Sequence, residues 1–127
     1  MKLSTPTNRT TAGPALSSQD DRLTVIYEYE HEDGSIDQGI VEFTEVIAFR
    51  FWQEPSSPPE NVVGAMEVRE QDASSYLAEV VKRWDQAVGW QSWQQEQGGS
   101  RRFKHHTMFF DDAGSLDVIS AACLARQ

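Results

Sequence analysis

The sequence predicts an α+β fold: a mainly antiparallel sheet of five or six strands, in the order βββ(β)αββ, with one main helix packed on one face. The first observation behind this prediction is that apolar and polar residues alternate along several short segments, the period of a half-buried strand. The second is that one segment, residues 76–84, repeats its apolar residues every three or four positions, the period of a helix. Strands and helices do not alternate along the chain, so a parallel sheet is not expected.

The N-terminal residues 1–20 differ in composition from the rest of the chain. They are rich in Ser, Thr, Pro, Gly, Asn and Gln, and Leu3 and Leu16 are the only large aliphatic residues after Met1. Such a segment buries too little apolar surface to offset the entropy lost on ordering, so we expect a disordered polar tail. Residues 21–127 then form a single α+β domain, which suits a chain of 127 residues.

The first half of the domain is expected to be a three-stranded meander. Alternation over residues 23–30 predicts the first strand, and Asp33-Gly34 is a strong hairpin-turn signal. The chain returns through residues 36–44, and residues 46–52 form the third strand. The three prolines of residues 54–60 cannot donate to a sheet ladder and predict a surface loop.

The second half is expected to contain an optional short strand, the helix and a closing hairpin. Residues 62–68 are the optional strand, because Gly64 interrupts them. The apolar stripe of the helix consists of Tyr76, Leu77, Val80, Val81 and Trp84, the capping residue is one of Asp72, Ser74 and Ser75, and Glu79 and Arg83 are spaced for an ion pair. Residues 103–110 and 116–124 form a hairpin that is apolar on both faces, which predicts a position in the middle of the sheet.

Residues 101–120, RRFKHHTMFFDDAGSLDVIS, combine a basic and aromatic strand with an Asp-Asp-x-Gly turn. This stretch resembles the closing hairpin of small bacterial proteins of unknown function. The resemblance implies a bacterial origin, and it carries no catalytic residue over to this chain.

Charge and composition exclude several classes of function. Acids outnumber bases 20 to 11, giving a formal charge of −9, which disfavours nucleic acids and anionic membranes as partners. The apolar runs are too short to span a bilayer, and residues 1–10 lack the apolar core of a signal peptide, so the cytoplasm is the expected location. Cys123 is the only cysteine and lies in an apolar run, so we interpret it as a buried structural thiol.

A candidate interaction surface follows from the distribution of acids. Seven acids and no Lys or Arg lie between Arg22 and Arg50. Such a surface steers a basic partner, and the same charges protect exposed strand edges from aggregation, so both interpretations stay open. Two tryptophans, Trp90 and Trp93, lie in a Gln-rich segment. They either line a binding groove or pack against the core, and both interpretations stay open. The candidate surface comprises Glu28, Glu30, Glu32, Asp33, Asp37, Glu42, Trp90 and Trp93.

A candidate ligand pocket is the alternative. His105, His106 and Asp111 carry groups suited to metal binding or acid–base chemistry. Adjacent strand residues point to opposite faces, so the two histidines cannot share an ion without a bulge. We therefore predict no metal and no cofactor.

The leading functional hypothesis is a non-enzymatic protein–protein interaction module, immunity-protein-like or chaperone-like, with a protein partner of basic character. Known catalytic sequence motifs are absent from the chain, which favours this hypothesis. The alternative is a small-ligand-binding protein or enzyme with an aromatic and histidine pocket, and a third reading is a subunit that completes a larger assembly. A cavity in which a histidine and a carboxylate converge would favour the enzyme, and a filled core would argue against it.

Overall fold

The computed structural model describes Leu3 and residues 14–53, 68–88, 102–110 and 114–126. In chain order, its elements are β1 (Ala15–Gln19), β2 (Arg22–Glu30), β3 (Ile36–Gln53), β4 (Arg69–Gln71), α1 (Ser75–Val88), β5 (Lys104–Phe110) and β6 (Gly114–Arg126). Within these residues the six strands form one antiparallel sheet in the order β1-β2-β3-β6-β5-β4, and α1 packs on one face. The predicted α+β class is confirmed.

Strand β3 joins two strands that the sequence predicts separately. Its register against β6 shifts between Val46 and Ala48, which marks a bulge. Just before the shift, Glu45 has a φ of 53°, and the Val46 amide donates to the Asp21 carbonyl at 2.7 Å. The bulge interrupts the alternation of side chains, so a continuous strand looks in the sequence like two.

Strand β1 lies inside the predicted disordered tail, and that prediction is wrong for residues 15–19. These residues pair with β2 from Ala15↔Ile26 to Gln19↔Arg22. An edge strand is held through its backbone, so its side chains can stay polar and exposed. Leu3 also contradicts the prediction, because it is only 3% exposed and belongs to the core.

Two groups of apolar side chains cover the two faces of the sheet. The β5–β6 hairpin separates them, and every residue of 114–120 is buried, as its predicted central position requires. One group includes Leu23, Val25, Tyr27, Val41, Phe43, Met108, Phe110, Leu116 and Val118. The other, under the helix, includes Ile47, Ala48, Leu77, Val80, Trp84, Phe103 and Ile119.

Helix α1 begins at a serine cap. The Leu77 amide donates to Ser74 Oγ at 3.0 Å, which confirms Ser74 as the capping residue among the three predicted. The predicted apolar stripe faces the sheet: Leu77 is buried, and the Trp84 ring meets Phe103 edge-on at 5.1 Å. The predicted pair of Glu79 with Arg83 is present at 3.0 Å.

Candidate functional sites: an acidic arm and a serine network

The hairpin between β2 and β3 projects beyond the neighbouring strands. Pairing of β1 with β2 ends at Ala15↔Ile26, and pairing of β6 with β3 ends at Arg126↔Ile40. Within the described residues, 27–39 therefore continue as a two-stranded hairpin, which we call the acidic arm.

The two faces of the acidic arm have opposite character. Tyr27 and Tyr29 are 1% and 4% exposed, and the Tyr27 ring packs edge-on against Phe110 at 5.6 Å. Glu28 and Glu30 alternate with these tyrosines and are exposed. Tyr27 therefore anchors the base of the arm to the body of the domain, and the glutamate face points to solvent.

The tip of the acidic arm is held by local hydrogen bonds. The His31 amide donates to the Ser35 carbonyl at 2.8 Å, and Gly34 has a φ of 86°, a conformation that glycine adopts without strain. Asp33 Oδ1 accepts from both the hydroxyl and the amide of Ser35, at 2.6 and 2.9 Å, and these bonds lower the pKa of the Asp33 carboxyl. An open surface depression of about 560 Å³ lies here, lined by His31, Glu32, Asp33 and Ser35.

Asp37 connects the tip to the tyrosine face. Its carboxylate accepts from the Gln38 amide at 2.8 Å and from the Tyr29 hydroxyl at 3.3 Å, and it lies 3.7 Å from His31 Nε2. The bond from the Gln38 amide, more than the bond from Tyr29, lowers the pKa of Asp37. Asp37 is thus an exposed carboxylate that also has a local structural role.

Glu42 does not belong to the candidate surface predicted from the sequence, and that prediction is wrong. It is only 7% exposed, and its two oxygens pair with Arg22 and Arg126 at 3.0 Å each. Arg126 reaches Glu42 from the neighbouring strand β6, a contact that local sequence does not reveal. Trp90 and Trp93, the other predicted members, lie outside the described residues.

Among the described residues, the exposed Glu28 and Glu30 of the acidic arm have no Lys or Arg paired with them. No Lys or Arg occurs between residues 22 and 50. Six ion pairs of Lys or Arg between described residues lie off the arm: Arg22–Glu42, Arg126–Glu42, Arg50–Asp117, Arg83–Glu79, Arg102–Glu45 and Lys104–Asp72. The arm therefore presents a negative potential directed to solvent.

A second constellation lies under the N-terminus of α1. His105 on β5 and Asp117 on β6 are 7% and 3% exposed, and His105 Nε2 lies 2.7 Å from Asp117 Oδ1. The other ring nitrogen, Nδ1, lies 2.7 Å from Oγ of the half-buried Ser74. We call these residues, with Thr107 and Arg50, the Ser74 network.

Asp117 is the charged centre of the Ser74 network. The Arg50 Nε–H donates to Oδ2 at 2.9 Å, and the Thr107 hydroxyl donates to Oδ1 at 3.0 Å. Burial alone would raise the pKa of Asp117, but hydrogen bonds from His105 and Arg50 outweigh it and hold the pKa below its usual value. Because an ionised carboxylate only accepts, His105 Nε2 carries a hydrogen, and in the neutral ring Nδ1 accepts from the Ser74 hydroxyl.

Aromatic rings and a guanidinium group surround this network. The Arg50 guanidinium lies 3.9 Å from the centre of the Tyr76 ring and 5.3 Å from that of Trp52. The Tyr76 ring also meets His105 edge-on at 5.4 Å, and burial raises the pKa of the Tyr76 hydroxyl. Tyr76 therefore fixes both Arg50 and His105 against the sheet.

His106 lies on the opposite face from His105, as expected for neighbouring strand residues. It is 2% exposed, with Nδ1 3.1 Å from Ser120 Oγ and Nε2 3.6 Å from Glu70. Burial lowers the pKa of His106, so its ring is neutral at pH 7. The predicted pocket of both histidines with Asp111 is not assembled, because the rings face apart; Asp111 itself lies outside the described residues.

Sequence reasoning missed Asp117 and Ser74 as partners of His105. The available signal was a carboxylate within the otherwise apolar run Leu116–Ser120, since a charge in a buried strand needs partners. Among the described residues, no group of three or more His, Cys, Asp or Glu side chains is placed to hold a metal ion. Burial raises the pKa of the Cys123 thiol to about 12, so this thiol is protonated at neutral pH.

Comparisons with protein-family models, curated proteins and solved structures found no match to this chain. No helix in the described part of the chain has the length and apolarity needed to cross a membrane.

Proposed function

We propose that the protein is a protein–protein interaction module whose acidic arm binds a basic surface of a partner protein in the bacterial cytoplasm. The observation that carries the proposal is the projection of the exposed Glu28 and Glu30 carboxylates beyond the sheet, with no Lys or Arg paired to either among the described residues. Immunity-protein-like and chaperone-like roles both fit, because each consists of binding one protein partner.

The acidic arm is held in a fixed conformation, which favours tight binding in addition to electrostatic attraction of a partner. Tyr27 packs against Phe110 in the core, and the bonds of Asp33 hold the tip of the arm, so Glu28 and Glu30 project from a fixed backbone. A preorganised surface loses less conformational entropy on binding than a mobile one. Protection of strand edges needs fewer charges than this arm carries.

The proposal is tested by affinity capture from a cytoplasmic extract of the source cell with three forms of the protein. The first is the wild type, and the second is Glu28→Lys/Glu30→Lys, which reverses the solvent face and spares the bonded Asp33 and Asp37. The third is Asp21→Lys/Glu79→Lys, a matched control with the same change of net charge at exposed positions off the arm.

We expect a basic protein that the wild type and the control retain and the arm variant loses, and that elutes as salt is raised. The proposal is overturned if the arm variant retains every protein that the wild type retains. It is equally overturned if the control loses the same proteins, because net charge rather than the arm would then be responsible.

A further inference from the structure

We propose that the Ser74 network is an acyl-transfer site in which Ser74 is the nucleophile and His105 the general base, acting on small carboxylic esters. The inference is independent of the acidic arm. It rests on a continuous hydrogen-bond chain from a hydroxyl through an imidazole to a buried carboxylate, with both links at 2.7 Å. This is the arrangement that activates a serine.

Each member of the chain has the orientation that its role requires. Asp117 is ionised and fixes the tautomer of His105, which leaves Nδ1 free to take the proton of Ser74. The ring nitrogens are used in the reverse order of the usual serine-protease template, where serine faces Nε2 and the carboxylate faces Nδ1. Both nitrogens of imidazole can accept or donate, so the relay works in either order. Asp117 is here a positioning residue, as are Arg50 and Thr107.

The start of α1 supplies a place for developing negative charge. Ser74 precedes the first turn, and the Ala78 amide makes the first backbone bond of the helix, to the Ser74 carbonyl at 3.0 Å. The amides of Ser75 and Tyr76 come before that bond and have no acceptor within the helix. Amides at a helix N-terminus stabilise an oxyanion that forms next to them.

The capping role of Ser74 is compatible with attack. A hydroxyl oxygen has one hydrogen and two lone pairs. In Ser74 the hydrogen goes to His105 Nδ1, and one lone pair accepts from the Leu77 amide. The second lone pair is left for a substrate carbonyl carbon. Because His105 and Asp117 are buried and Ser74 is only half-buried, we assign short acyl groups rather than large ones.

The reaction balances with water as the only co-reactant. Ser74 Oγ forms a bond to the carbonyl carbon, its proton passes to His105 Nδ1, and the carbonyl electron pair moves to oxygen. The pair returns, the bond to the leaving oxygen breaks, and that oxygen takes the proton from His105. Water then attacks the acyl carbon in the same manner, which releases the carboxylic acid and restores the hydroxyl of Ser74.

The test uses the full chain and a fluorophosphonate, a probe that phosphonylates activated serines. Intact mass and peptide mapping should show one adduct, located on Ser74. Two controls accompany it: the same protein unfolded in urea, and Ser18→Ala, which removes an exposed hydroxyl on β1, away from the Ser74 network. The urea sample should not react, and the Ser18 variant should react like the wild type.

Variants of the partners separate activation from simple exposure. His105→Gln should slow labelling about 100-fold or more, the usual contribution of a general base. Asp117→Asn should lower the maximal labelling rate without changing the half-saturating probe concentration, a split that a purely structural role would not produce. The wild-type result decides the matter even if these variants unfold. Absence of an adduct on Ser74 in the folded wild type, under conditions that label a known serine hydrolase, overturns the proposal, as does labelling that persists in urea.

Discussion

The acidic arm and the Ser74 network place carboxylates in opposite environments. Asp117 is 3% exposed and receives hydrogen bonds from His105, Arg50 and Thr107. Glu28 and Glu30 of the arm are exposed, and no Lys or Arg among the described residues pairs with them. The Ser74 network uses negative charge to hold elements together, and the acidic arm directs it outward.

This difference separates stability from binding. A buried charge is tolerated only when it is fully bonded, and removing its partners is costly. An exposed charge contributes little to stability but acts on approaching molecules over the Debye length, about 8 Å at physiological ionic strength. Substitutions in the network should therefore change folding, and substitutions in the arm should change association.

Asp117→Ala should have the largest effect on folding. The substitution leaves the buried donors of His105 and Thr107 without their acceptor, and we expect a loss of about 3–5 kcal/mol in the free energy of unfolding. Chemical denaturation measures this loss, with Glu28→Ala as the exposed control. A loss below about 1 kcal/mol for Asp117→Ala would show that the two regions do not differ in this way.

Leu77→Ala tests whether α1 is part of the same stable core. Leu77 is 7% exposed and packs in the group under the helix, so its truncation should cost about 2–5 kcal/mol. Urea denaturation gives the value directly. A change near zero would mean that this helix face is exposed in solution.

Deletion of residues 1–20 tests the correction of the predicted tail. The deletion removes β1, uncovers an edge of β2 and takes away the buried Leu3, so the melting temperature should fall by at least about 4 °C. An unchanged melting temperature would support the disordered tail that composition predicts and contradict the correction.

Mild acid should weaken the fold through His106. Burial lowers the folded pKa of His106 below its ordinary value of 6.5, so below that pH the unfolded chain binds a proton that the folded chain does not. The stability that depends on a neutral His106 is complete above pH 6.5 and is lost as the pH falls towards the folded pKa. Stability curves at pH 7 and pH 5.5 should differ for the wild type and differ less for His106→Gln. An equal change in the free energy of unfolding between pH 7 and pH 5.5 in the two proteins would rule this contribution out.

The two regions also differ in how far the sequence predicts them. The acidic arm is contiguous, so alternation and the Asp33-Gly34 turn predict its strands, its tip and its charge. The Ser74 network joins residues from β3, β5, β6 and the cap of α1, and their meeting depends on register and helix docking. The prediction for Glu42 is wrong for the same reason, since its partner Arg126 lies on β6, which is adjacent to β3 in the sheet but distant in the sequence.

Reversal of the charges at Glu28 and Glu30 should have the smallest effect on folding. Glu28→Lys/Glu30→Lys changes exposed side chains for which no bond with Lys or Arg exists in the described segments, so stability should change by about 0–1 kcal/mol. A larger loss in denaturation experiments would show that these glutamates support the hairpin itself.

The association rate of the captured partner with the acidic arm tests the central claim most directly. It is measured by stopped flow at about 50 and 500 mM salt for the wild type, for Glu28→Lys/Glu30→Lys and for the control Asp21→Lys/Glu79→Lys, because attraction by exposed charge acts mainly on encounter and is screened by salt. We predict that the arm variant associates about 10-fold or more slowly than the control at low salt, and that the two converge at high salt. Equal rates for the arm variant and the control at low salt would contradict the account.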